Sequence, residues 1–107
     1  MHIQINTDSN IEGSEEFAIH VKGVVEGALS RFSDRITRIE VHLSDENGDK
    51  SGQDDKRCMM EVRLEGRQPT AVTHHAASLD DAVEGAADKL KRSLESTLER
   101  LKDVRRT

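Results

Sequence analysis

Apolar residues in this chain recur with a period of two in some stretches and near 3.6 in others. Ile3 and Ile5 alternate with His2, Gln4 and Asn6, which predicts a short first strand. Thr7-Asp8-Ser9-Asn10 is a turn cluster. Ser14, followed by Glu15 and Glu16, then opens a helix with a capping hydroxyl and two acids that suit the helix dipole. Phe17, Val21, Val24, Val25, Ala28 and Phe32 trace a helical face that ends near Arg31 or Phe32. Gly23 and Gly27 lie inside that helix and weaken it by about 1 kcal/mol each relative to Ala. Close approach of the helix to a sheet would account for them. Ile39, Val41 and Leu43 alternate with Arg38, Glu40 and His42, a strand with one wet face. Cys58, Met60, Val62 and Leu64 alternate in the same way with Arg57, Met59, Glu61 and Arg63. Glu65-Gly66-Arg67-Gln68 reads as a hairpin turn, and Pro69 to about His75 as a fourth strand. Between the second and third strands, residues 44–55 are nearly devoid of apolar side chains and contain Gly48 and Gly52, which predicts a mobile acidic loop.

The last third of the chain is the clearest segment. Leu79, Val83, Ala86, Ala87, Leu90, Leu94, Leu98 and Leu101 form one apolar helical stripe. Its exposed faces begin acidic at Asp80, Asp81 and Glu84. They become basic at Lys89, Lys91 and Arg92 and again at Arg100, Lys102, Arg105 and Arg106. The element order is β-α-β-β-β-α. One-faced strands with two amphipathic helices predict an α+β two-layer sandwich, a four-stranded sheet with both helices packed on one face.

Length and composition narrow this further. A chain of 107 residues makes one domain, residues 1–107, and with no Trp or Tyr and only Phe17 and Phe32 as aromatics its core must be aliphatic. Cys58 is the sole cysteine, so no internal disulfide can form, and no apolar run approaches the roughly 20 residues of a membrane span. The opening Met1-His2-Ile3-Gln4 is unlike a signal peptide, so a cytoplasmic location is expected. Net charge is −5, unevenly split: Met1 to Asp55 holds 5 Lys/Arg against 12 Asp/Glu, and Lys56 to Thr107 holds 11 against 9. A field of that overall sign does not steer a protein to nucleic acid, so any such contact must use a local patch.

The order of elements, with Phe32-Ser33-Asp34-Arg35-Ile36, Ile39-Glu40-Val41-His42-Leu43-Ser44 and the run from Asp81-Ala82-Val83 through Asp88-Lys89-Leu90-Lys91-Arg92-Ser93-Leu94, resembles the ribosome hibernation-promoting factor family in its short form. Members are also called ribosome-associated inhibitors or ribosomal subunit interface proteins. The resemblance implies a stress-response protein that binds ribosomal RNA of the small ribosomal subunit and blocks the sites of messenger and transfer RNA. It assigns phosphate contact to Lys89, Lys91 and Arg92, by extension to Arg100 and Lys102, and on the first helix to Lys22. Asp80 and Asp81 stand here where the family carries an aromatic, and Lys22 is followed by Val24, Glu26 and Gly27 where the family tends to carry further cations.

Other signals have plainer readings. The helix cations would also suit a solvated face with Asp88–Arg92 and Glu95–Glu99–Arg100 ion pairs. His74 and His75, adjacent on a strand, point to opposite faces and cannot chelate one metal together. His42, on a neighbouring strand, could approach one of them, but without a carboxylate in register no metal site results. Cys58 lies on the apolar side of its strand and reads as a small buried hydrophobe. Met59, on the wet face, reads as a lone exposed apolar residue. The acids at Asp45, Glu46, Asp49, Asp54 and Asp55 lack the spacing of a calcium loop and read as solvated. No phosphate loop, carboxylate pair or nucleophile–base set is visible, so no catalytic residue, cofactor or small-molecule substrate is expected. The leading expectation is a non-enzymatic translation inhibitor on the ribosome. The alternative is an acidic protein-interaction or regulatory module of the same fold. A weak homodimer through an exposed edge strand is possible in either case.

Overall fold

The computed structural model describes residues 1–8, 11, 14–46 and 55–106, with side chains through Arg100. The elements are β1 (His2–Thr7), α1 (Glu15–Leu29), a single 3-10 turn (Ser30–Phe32), β2 (Ile36–Asp45), β3 (Lys56–Leu64), β4 (Thr70–Ala76) and α2 (Leu79–Arg106). The strands form one mixed sheet in the order β1-β2-β3-β4. β1 runs parallel to β2, and the other pairs are antiparallel. Parallel pairing needs a crossover connection, and α1 supplies it. The architecture is the α+β sandwich that the alternation predicts.

Local chemistry sets the element ends. Ser14 Oγ accepts from the Phe17 amide at 3.0 Å and caps α1. Ser78 Oγ accepts from the Asp81 amide at 3.1 Å and does the same for α2, with Asp80 and Asp81 in the first turn. The β3–β4 turn closes through the Arg67 amide donating to Leu64 O at 3.1 Å, with Gly66 at φ 74°, a backbone region that favours glycine.

One face of the sheet is buried. Ile39, Val41 and Leu43 of β2 and Cys58, Met60, Val62 and Leu64 of β3 join Val21, Val25 and Leu29 of α1 and Ala82, Val83, Ala86, Ala87, Leu90 and Leu94 of α2 in one aliphatic cluster. α2 lies over β3 and β4 and packs beside α1. Two contacts bridge to α2: His20 Nε2 of α1 lies 3.1 Å from Asp80 Oδ1, and Arg31 Nη1, in the turn that follows α1, lies 3.6 Å from Glu95 Oε1. Their order along both helices shows that α1 and α2 run in the same direction. The molecule measures 54 × 26 × 20 Å, α2 lying along its length.

Three expectations change. Gly23 and Gly27 do not bring α1 close to the sheet: both are exposed, and a Cβ at either would meet nothing within 4 Å. The buried residues of α1 are Val21, Val25 and Leu29, and a glycine two positions from one of them lies roughly 200° around the helix. The close approach occurs instead at Gly85 of α2, where an added Cβ would lie 2.1 Å from His74 Cδ2. His74 does point to the helix side and His75 to the open side, where its Nε2 meets Glu46 Oε1 at 3.2 Å, as strand alternation requires. His42, however, is not on a strand adjacent to theirs, because β3 lies between β2 and β4. The predicted acidic loop begins later than residue 44, since β2 continues through Asp45; residues 47–54 lie outside the described residues. Among the described residues no helix is long and apolar enough to cross a membrane.

The Gly85–His74 contact yields a prediction. Gly85→Ala should destabilise the domain by about 1–3 kcal/mol, the usual cost of overpacking. Gly85→Ala combined with His74→Ala should recover part of that loss. Thermal denaturation of the single and double variants measures the coupling, and purely additive losses would contradict the contact.

Candidate nucleic-acid interface

Burial of the apolar stripe fixes the rotation of α2, and with it the position of each cation. Lys89, Arg92 and Arg100 are all exposed and lie three and then eight residues apart, which places them along one flank of the helix. Ser93 and Ser96 lie between them on that flank, and Asp88 and Glu99 border it. Lys89 sits on the side of β4: its Nζ donates to Thr73 O at 2.9 Å, occupying a carbonyl of this sheet-edge strand. Arg92 Nη2 pairs with Asp88 Oδ2 at 2.6 Å, the i,i+4 pair expected from the sequence. Glu95 turns instead to Arg31. These pairs are highly exposed, 75% and 53% for Arg92 and Asp88. Pairs of this kind contribute roughly 0–1 kcal/mol, so a phosphate can displace the carboxylate at little cost.

The remaining candidates are distributed differently. Lys91 is half-buried on the opposite flank, with Glu84 and Glu95, facing α1. Lys22 follows His20 by two residues; since His20 faces α2, Lys22 projects from the far side of α1. Lys102 continues α2, and its side chain lies outside the described ones. The structure therefore gathers Lys89, Arg92 and Arg100, and leaves Lys91 and Lys22 on separate surfaces.

The opposite end of the sheet is an acidic pole, and it departs from the expectation of solvated carboxylates. Asp45 and Asp55 are buried. Lys56 Nζ lies 3.2 Å from Asp45 Oδ2 and 3.0 Å from Asp55 Oδ2. The Glu46 amide donates to Asp55 O at 2.9 Å, and the Asp45 amide donates to Asp8 Oδ2 at 3.1 Å. The hydrogen bond from Lys56 holds the Asp55 carboxyl below its usual range against the opposing effect of burial, and the same contact raises Lys56. One sequence signal was available: Asp45 continues the buried phase of Ile39, Val41 and Leu43, and Lys56 is its cross-strand partner. An acid in a buried phase calls for a cation opposite it.

Cys58 is fully buried, and burial pushes its thiol up to about 12, so it is not a poised nucleophile. Among the described residues no group of three His, Cys, Asp or Glu side chains could hold a metal ion.

Together these features define a small α+β sandwich with a cationic flank on its second helix and a paired acidic pole. The chain belongs to the Sigma 54 modulation protein / S30EA ribosomal protein family, which it matches over residues 3–102. The family resemblance drawn from the residue phrases is thus borne out. Two solved structures share the fold. The Thermus thermophilus Protein Y N-terminal domain superposes with a TM-score of 0.73 at 22% identity, covering 91% of this chain and 99% of that one. A ribosomal subunit interface protein from Coxiella burnetii gives 0.71 at 19% identity, covering 92% and 99%. No curated protein matches the chain.

The acidic pole predicts a pH signature. Asp55 is depressed in the folded state, so its contribution is complete above the unfolded carboxylate value of about 4 and is lost as pH falls through the lower folded value. Lys56 is raised, so its contribution is present below its unfolded value and fades only in strong alkali. Lys56→Met leaves two buried carboxylates without this cation. Its stability deficit should be largest near neutral pH and should shrink below about pH 4, as the carboxylates protonate. Denaturant melts of wild type and variant at pH 7 and pH 3 test this, and a deficit independent of pH would refute it.

Proposed function

We propose that this protein is a ribosome-associated translation inhibitor of the hibernation type, acting in the cytoplasm under stress. It binds ribosomal RNA of the small ribosomal subunit through phosphate contacts and occludes the sites of messenger and transfer RNA. The observation that carries the reading is the Lys89–Arg92–Arg100 flank of α2, with neutral Ser93 and Ser96 between its cations. Membership of a family described as S30EA ribosomal protein supports it, as does the shared fold with a protein named for the ribosomal subunit interface. Lys91 and Lys22 add charge from separate surfaces, and Lys102 continues the same helix.

The mechanism needs no reaction. A helix presenting cations at fixed spacing meets a phosphate backbone, each neutralised phosphate releases counterions, and affinity follows without base reading. Three such contacts give a salt slope near −2.7, so binding should weaken roughly 40-fold between about 50 and 200 mM salt.

Sucrose-gradient co-sedimentation with small subunits and whole ribosomes tests the reading. Wild type should travel with the small subunit in a salt-sensitive manner. Arg92→Glu with Arg100→Glu should weaken binding at least on the order of tenfold and reduce the salt slope by about 2. Lys89 is spared in this variant because it also holds the β4 edge. Protein that stays at the top of the gradient at low salt would overturn the proposal.

A further inference from the structure

Four arginines outside the α2 flank lie at the end of the sheet opposite the acidic pole, Arg31 on the helix side and Arg63 on the open face. Arg31 lies in the 3-10 turn, Arg35 in the bend entering β2, Arg63 next to the end of β3 and Arg67 in the β3–β4 turn; all four are exposed. The fold ties these separate segments together. The Glu65 amide donates to Arg35 O at 3.0 Å, and Thr37 Oγ1 donates to Arg63 O at 3.1 Å. Gly66, at φ 74°, shapes the turn that presents Arg67.

Carboxylates accompany these cations. Arg31 pairs with Glu95 at 3.6 Å and Arg63 with Glu61 at 3.7 Å, while Asp34 and Glu65 share the two turns. Formal charge is therefore balanced, and geometry decides what the surface offers. Arg35 and Arg67 have no carboxylate partner among the described residues, and a guanidinium stands further from the backbone than the carboxyl of Asp34 or Glu65. A phosphate chain meets the guanidinium groups first. Their planar forks bind phosphate oxygens in pairs, which a surface carboxylate partner does little to oppose. The surface is also continuous with the helix: Arg31 reaches Glu95, and Lys91 lies one turn before Glu95 on α2.

We infer that Arg35 and Arg67, whose turns are joined by the Glu65–Arg35 hydrogen bond, form a second RNA phosphate-binding site at this end of the domain, distinct from the Lys89–Arg92–Arg100 flank. The inference rests on the ribosome-binding reading and names a further surface through which it operates. It supplies cations that the first helix, with Lys22 alone, does not.

The test compares Arg35→Gln with Arg67→Gln, and the matching Lys pair, by equilibrium binding to purified small-subunit ribosomal RNA and to intact small subunits between about 50 and 200 mM salt. Both positions are exposed, and thermal melts of the variants check that the fold is kept. The Gln pair should lose about tenfold in affinity for both probes, and its salt slope should fall by nearly 2. The Lys pair should keep the slope while losing part of the affinity, because charge remains and the fork is gone. A Gln pair with wild-type affinity and slope overturns the second site. If Arg92→Glu with Arg100→Glu still weakens subunit binding at least on the order of tenfold, the ribosome reading stands without it. Wild type that binds neither probe overturns both.

Discussion

Burial of the α2 stripe against β3 and β4 is the constraint on which the rest of the molecule depends. Without Trp or Tyr, and with Phe32 the one Phe classed as buried, the core is built from aliphatic side chains on a single sheet face. Val83, Leu90 and Leu94 each contribute about 1.5–3 kcal/mol through burial. Ala82, Ala86 and Ala87 keep the helix close to the sheet, so close that only Gly85 leaves room for the His74 ring. This packing fixes the helix rotation to within a fraction of a turn. Lys89, Arg92 and Arg100 point outward together because Leu90 and Leu94 point inward.

The same logic explains what could be read from the chain. Strand alternation and the helical stripe are one-dimensional records of which side meets the core, so element order, sandwich class and the opposed directions of His74 and His75 were all legible. The candidate flank was legible in part. The spacing of Lys89 and Arg92 shows that they share a face, but the donation from Lys89 to Thr73 O depends on how far the helix lies from the β4 edge. Local composition alone marks Asp45 and Asp55 as solvated; Lys56, opposite Asp45 in the ladder, reverses that reading. The exposed position of Gly23 and Gly27 is not legible in the chain, because a glycine leaves no apolar mark from which its face can be judged. The grouping of Arg35 with Arg67 arises from two turns far apart in sequence, and local pattern carries no information about their meeting.

Lys89 links the two halves of this picture. β4 is a sheet edge, and an edge presents backbone groups that another strand could pair with. An ammonium resting on Thr73 O obstructs such pairing while retaining donors that can face solvent. One side chain thus protects the sheet and belongs to the candidate contact surface, and α2 keeps the two roles in register.

The elongation of the molecule has a consequence for its net charge of −5. Along β3 the acidic pole at Lys56 and the arginine end at Leu64 are separated by eight residue steps, roughly 26 Å of strand. At physiological ionic strength an exposed charge is screened within about 8 Å. A phosphate at the arginine end therefore lies about three screening lengths from the acidic pole of Asp45 and Asp55, whose charge Lys56 already offsets in part. The polyanion responds to the nearby surface and not to the sum over the chain. An acidic protein of this shape can present a cationic surface, and dilution into low salt, where screening reaches 30 Å at about 0.01 M, is the condition in which its two ends would begin to act on the same phosphate.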